Sequence, residues 1–141
     1  LLKNYFMNVL GLHYRFDNSL QITAEYLFNG LGDSNNLDAA NIRYKNGLSS
    51  SLNKHIIGIS LNYEFNPLLI GNYDSKIAWE DSSNQHNLSL TKSISDNIDF
   101  IVGSQINIGD RPNGSNWQNP NLQSEFGRLT NNYYLKFNCY F

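Results

Sequence analysis

Leu20-Gln21-Ile22-Thr23-Ala24-Glu25-Tyr26-Leu27-Phe28 is the stretch on which the fold turns. Its even positions, Leu20, Ile22, Ala24, Tyr26 and Phe28, are all apolar, while its odd positions are mostly polar. Successive side chains of a strand point to opposite faces, so a period of two describes a β-strand with one greasy side. The pattern recurs outward from this run. An earlier strand carries Leu10, Leu12, Tyr14 and Phe16, and later ones cover 57–65, 69–79, 88–94, 98–108 and 133–141. The run over 88–94 is the weakest of these, and the total is about seven strands.

The connections alternate in length. Asp17-Asn18-Ser19, Asn66-Pro67-Leu68 and Ser95-Asp96-Asn97 are triplets of turn-forming residues that suit tight hairpins. Longer connections over 30–54 and 109–132, and a short one over 81–85, separate them. In an up-and-down meander all three tight turns fall at one end of the sheet and the remaining loops at the other. Within 30–54, Asn36 is placed to cap a short helix over 37–46, with Gly47 as its stop.

Composition narrows the class. Charged residues make up 16% of the chain, against about 25% in an average soluble protein. The formal net charge is −2 and no basic cluster occurs, so a nucleic-acid partner is not expected. No run of about 18 apolar residues exists, which excludes a transmembrane helix but not transmembrane strands. The single cysteine, Cys139, provides no internal disulfide and no multi-cysteine metal or haem motif.

Alternation alone fits a soluble barrel or sandwich, with the apolar side inward, and a membrane barrel, with it outward. Three features favour the membrane. Aromatic residues collect at strand ends on the apolar side: Tyr14, Phe16, Tyr63, Phe65 and Phe137 at the turn end, and Tyr26, Phe28, Trp79 and Tyr133 at the loop end. Interfacial girdles of this kind flank the hydrocarbon band of outer-membrane barrels. Charge is segregated to the other side, on Arg15, Glu25, Glu64, Asp74, Lys76, Asp99 and Lys136, with Lys92 the exception on the apolar side. A Lys near a strand end can snorkel to the interface, and a bulge would also account for it. Finally, the polar side mixes Asn, Gln, Ser and Gly with balanced charges, as a hydrated interior would.

The closing run Tyr133-Tyr134-Leu135-Lys136-Phe137-Asn138-Cys139-Tyr140-Phe141 resembles the C-terminal signature of proteins inserted by the outer-membrane barrel assembly machinery. Such signatures alternate apolar positions and end on Phe, and Cys139 stands where a bulkier apolar residue is usual. The stretches 10–30 and Tyr63-Glu64-Phe65-Asn66-Pro67-Leu68-Leu69 resemble porin-like barrels of Gram-negative bacteria. The resemblance implies that Phe141 acts as an assembly signal.

The fold class expected is therefore all-β, an antiparallel up-and-down transmembrane β-barrel, with residues 1–141 as the C-terminal segment of one domain. Single-chain bacterial barrels have even strand numbers, so seven strands imply at least one more before Leu1. The seven charged residues are expected to face a lumen, giving an outer-membrane channel for small hydrophilic solutes or ions. The alternative is a structural or interaction barrel plugged by loops or by a partner such as a lipoprotein or electron carrier. A homo-oligomer fits either reading. Catalysis and cofactors are not expected: His86 and Ser89 lie three residues apart, on opposite sides of a strand. Asp33-Ser34-Asn35-Asn36-Leu37-Asp38 is rich in oxygens, but it lacks the spacing and closing Glu of a calcium loop and reads as a solvated loop. The Asn- and Gly-rich 110–120 segment, with Trp117, is a candidate constriction or ligand-receiving loop.

Overall fold

A computed structural model of the chain describes residues 5–114 and 121–140. Seven strands, β1 (Met7–Arg15), β2 (Leu20–Asn29), β3 (His55–Asn66), β4 (Leu69–Ala78), β5 (Asn84–Ser95), β6 (Ile98–Ile108) and β7 (Asn132–Cys139), form one antiparallel sheet. Each strand pairs only with its sequence neighbours, as a meander requires. The three tight turns stand where the triplets place them. Asn18 Oδ1 accepts from the Leu20 backbone N–H, and Asn66 Oδ1 accepts from that of Leu68. These short side-chain bonds hold the reversal without help from distant residues.

The expected barrel is not closed. β1 and β7 are both edges of the sheet among the described residues. The register is staggered, however. Cross-strand partners run Tyr14, Ile22, Leu61, Tyr73, Leu88, Ser104, Tyr133 across all seven strands. That row starts one residue from the turn end of β1 and finishes one residue from the loop end of β7. The strands therefore slide progressively past one another, the shear that a closed barrel needs.

The helix suggested within the first long loop is present as α1 (Leu37–Lys45). Asn36 Oδ1 accepts from the Ala39 backbone N–H, and Gly47 follows the C-cap at φ +70°, a left-handed conformation that glycine adopts without a Cβ penalty. Two sequence boundaries shift. Trp79 lies just beyond β4 rather than inside it, and β5 begins at Asn84, so the link between the two strands, 79–83, lies two residues earlier than the 81–85 expected.

The packed core lies at the loop end, outside the middle of the sheet. Leu37, Ala40, Leu52 and Leu122 form one buried cluster between α1 and the loops. Ile56, Ala78 and Phe126 form a second, with Leu27 and Leu129 against it. Elsewhere the sheet is a single layer with both faces open.

Candidate hydrophilic face and its loop cap

The register sorts the sheet residues onto two faces. All seven charged residues singled out by the sequence, Arg15, Glu25, Glu64, Asp74, Lys76, Asp99 and Lys136, occupy one of them. On it, side chains are joined by short cross-strand bonds. The Ser60 hydroxyl donates to Asp74 Oδ1 at 2.6 Å, and the Ser93 hydroxyl to Asp99 Oδ1 at 2.7 Å. Asn62 donates to Asn72 at 2.6 Å and Gln85 to Asn107 at 2.8 Å. No ion pair joins any of the seven charges to another among the described residues. Charged groups left unpaired are stable only where water or a ligand solvates them.

The opposite face is apolar and uncovered. Leu12 is 80% exposed, Leu135 69%, Phe137 65% and Leu88 58%. Soluble monomers rarely expose a contiguous apolar patch beyond about 300–600 Å². The girdle residues sit on this side at its two ends. Tyr14 packs edge-to-face with Phe16 at 4.6 Å and Tyr63 with Phe65 at 4.8 Å, both at the turn end. Phe137 lies 4.9 Å from Phe100 at the same end. Tyr26, Phe28, Trp79 and Tyr133 mark the loop end, where Trp79 is 67% exposed. The bulge between Ser93 and Ser95 begins beyond Lys92, which pairs with Phe100 and keeps to the apolar side near the turn.

Two histidines stand on the apolar side near the loops. His55 Nδ1 is hydrogen-bonded to the Tyr26 hydroxyl at 2.6 Å, and His86 Nδ1 to that of Tyr73 at 2.8 Å. Each ring also stacks on its tyrosine, so a polar group on a greasy surface has both a partner and a cover. His86 pairs with Ile106 and Ser89 with Gly103, so they stand on opposite faces.

Near the loops the hydrophilic face itself turns apolar. Leu27, Ile56 and Ala78 stand on it, and Phe126 and Leu129, from the link between β6 and β7, pack against them. This cap is latched by buried polar groups. Glu125 Oε2 accepts the backbone N–H of Leu52 and of Asn53, both at 2.8 Å. Asp81 Oδ2 accepts from Asn53 Nδ2 at 2.6 Å and from the Glu125 backbone N–H at 2.7 Å. Asn29, fully buried, donates to the hydroxyls of Ser49 and Ser51. Burial pushes the Glu125 carboxyl up from the ordinary glutamate range; the Asn53 and Leu52 N–H groups and Arg128 oppose the shift, and Asp81 adds to it. Arg128 is itself engaged, donating to the Glu125 carbonyl and lying 4.9 Å over the Tyr44 ring.

None of these cap residues stands out in the sequence, because they have no periodicity and meet partners far along the chain. One signal was available. Leu27 and Ile56 are apolar at positions of the polar face, and such a pair calls for a cover. The oxygen-rich segment is spent on structure: Asp33 pairs with Arg43 at 3.8 Å, Asn36 caps α1, and Asp38 accepts from the Leu122 N–H. Phe141 and Trp117 lie outside the described residues.

Beneath the cap is a pocket of about 380 Å³, floored by Glu25, Gly58 and Lys76 and walled by Leu27, Ile56 and Phe126. No family model, curated protein or solved structure matches the chain.

Proposed function

We propose that this sheet is part of the wall of a β-barrel in the bacterial outer membrane, with its charged face toward a water-filled lumen and its apolar face in lipid. The function that follows is passive passage of small hydrophilic solutes or ions. One observation carries the reading: a single-layer sheet exposes large apolar side chains over one face and unpaired charges over the other. Water suits only the second of these faces, and hydrocarbon only the first. The sheared register and the aromatic residues at both ends of the apolar side agree with it.

Lipid is then the partner of the outer side, and the alternating run 133–141, which resembles a barrel assembly signal, is the segment we propose the assembly machinery recognises. Unpaired strand edges do not survive in hydrocarbon, so β1 and β7 meet further strands, of the same protein or of another copy.

A second reading, an interaction barrel with no open pore, draws support from the cap, since Phe126 and Leu129 lie over the hydrophilic face. Planar-bilayer recording separates the two. The channel reading expects steady single-channel current from the purified protein. Silent bilayers containing demonstrably inserted protein would leave the plugged barrel.

A further inference from the structure

One row of cross-strand partners on the hydrophilic face differs from its neighbours. It runs Gly11, Glu25, Gly58, Lys76, Gln85, Asn107. Glycines flank Glu25 on both sides, and the atoms nearest a Cβ added at Gly58 belong to Glu25 itself, at 3.8 Å and beyond. Among the described residues the space over Gly58 is therefore bordered by Glu25 and holds no third side chain in close contact. Neighbouring strands are about 4.8 Å apart, which sets the Glu25 and Lys76 backbones roughly 9.5 Å from each other across Gly58. Neither side chain takes part in an ion pair or a hydrogen bond among the described residues.

Three other charged or polar residues at this pocket, Glu125, Arg128 and Gln85, each already have partners. Glu125 is held by the Leu52 and Asn53 N–H groups, Arg128 by the Glu125 carbonyl and the Tyr44 ring, and Gln85 by Asn107. Among the described residues, the pocket thus presents the Glu25 carboxylate and the Lys76 ammonium without a bonded partner, on either side of Gly58. One residue pair nearer the loops, Leu27 and Ile56 form an apolar wall that Phe126 closes from above.

We propose that this pocket binds a zwitterionic α-amino acid with an apolar side chain. Glu25 takes the ammonium, Lys76 takes the carboxylate, and the side chain rests against Leu27, Ile56 and Phe126. The pocket volume, about 380 Å³, is within the range of small-molecule sites. A ligand with only one of the charges leaves Glu25 or Lys76 without its partner, and a zwitterion without the apolar arm leaves the wall wet. The proposal rests on the hydrophilic face being open to water, the premise of the function proposed above.

The test is equilibrium dialysis of L-leucine against the detergent-solubilised protein, a measurement that needs no conduction. Saturable binding is expected, at least tenfold weaker for isoamylamine, which lacks the carboxylate, and for 4-methylpentanoate, which lacks the amine. Glu25→Gln and Lys76→Met should each weaken leucine binding at least tenfold. Gly58→Leu should do the same with both charges retained, by filling the space over Gly58. Absence of leucine binding to the wild-type protein overturns the proposal, as does equal binding by the wild type and by the Glu25 and Lys76 variants. Bilayer recordings stand apart: leucine binding without current removes the channel and keeps the site, whereas current without binding removes the site alone.

Discussion

Leu88 offers the sharpest test of the proposal that the apolar face meets hydrocarbon. It sits in β5, flanked by strands on both sides, near the middle of the row that runs from Tyr14 to Tyr133. Its side chain is 58% exposed on the apolar face, so an arginine there has room and incurs no steric cost. In water Leu88→Arg should then be neutral, or improve solubility. At mid-depth in a bilayer it should cost about 2–4 kcal/mol, because the guanidinium cannot reach an interface without distortion. A tenfold change in an equilibrium corresponds to about 1.4 kcal/mol, so the folded population should drop roughly 30- to 700-fold at a fixed urea concentration. The matched control is Asn87→Arg, one residue earlier, on the hydrophilic face and paired with Asp74. It should cost less than about 1 kcal/mol. Both variants are refolded into phosphatidylcholine vesicles and titrated with urea, the folded fraction being read from its faster migration in unheated gels. If Leu88→Arg matches Asn87→Arg, or is the more stable of the two, the assignment of the apolar face to lipid fails.

Other outcomes follow from the same physics. Deleting Phe141 should leave synthesis intact and reduce insertion into the outer membrane, read as loss of the heat-modifiable band in membrane fractions; normal insertion would remove its role as a signal. Glu125 is raised by burial, so the cap holds its proton more tightly than the unfolded chain does. Its contribution is fully present below the ordinary glutamate pKa and is lost as pH rises through the raised value. Protection factors at 49–53 and 122–129, taken against the unstructured exchange rate at each pH, should therefore be higher at mildly acidic pH than at neutral pH, and Glu125→Gln should flatten that difference. Glu125→Ala instead leaves the buried N–H groups of Leu52 and Asn53 without an acceptor, at about 1–3 kcal/mol each, and should speed exchange at both pH values. A Cβ at Gly32 would overlap the backbone of Asn53, so Gly32→Ala should loosen the same latch by about 1–3 kcal/mol, visible as earlier proteolysis within 30–54.

What the sequence made legible is the part of the fold built from near neighbours. Alternation over 20–28 assigned the two faces, the turn triplets fixed the hairpins, and Asn36 with Gly47 bounded α1. Each depends on residues a few positions apart, and so each leaves a local pattern. The cap left none. Glu125 reaches Leu52 and Asp38 reaches Leu122, contacts that no periodicity announces. The pocket was half legible. Glu25 and Lys76 stood out as charges on the polar side, but the gap between them depends on Gly58, whose meaning appears only once the register is known. Alternation already puts His55 in line with Ile57 and His86 in line with Leu88 on the apolar side, but not the tyrosines that satisfy them, because those stand on other strands.

The contrast between wall and cap has a temporal side. Every hairpin of the sheet closes between consecutive strands, whereas the latch joins positions 72 and 73 residues apart. Contacts between nearby residues form early, and those that close long loops come late. While the wall is being laid down, the amides of Leu52 and Asn53 have only water to bond, and the Leu37–Leu52 cluster has no Leu122 to cover it. The loops at that end therefore stay apart until the link between β6 and β7 arrives and draws them together, so pairing of β7 and closure of the cap become a single event.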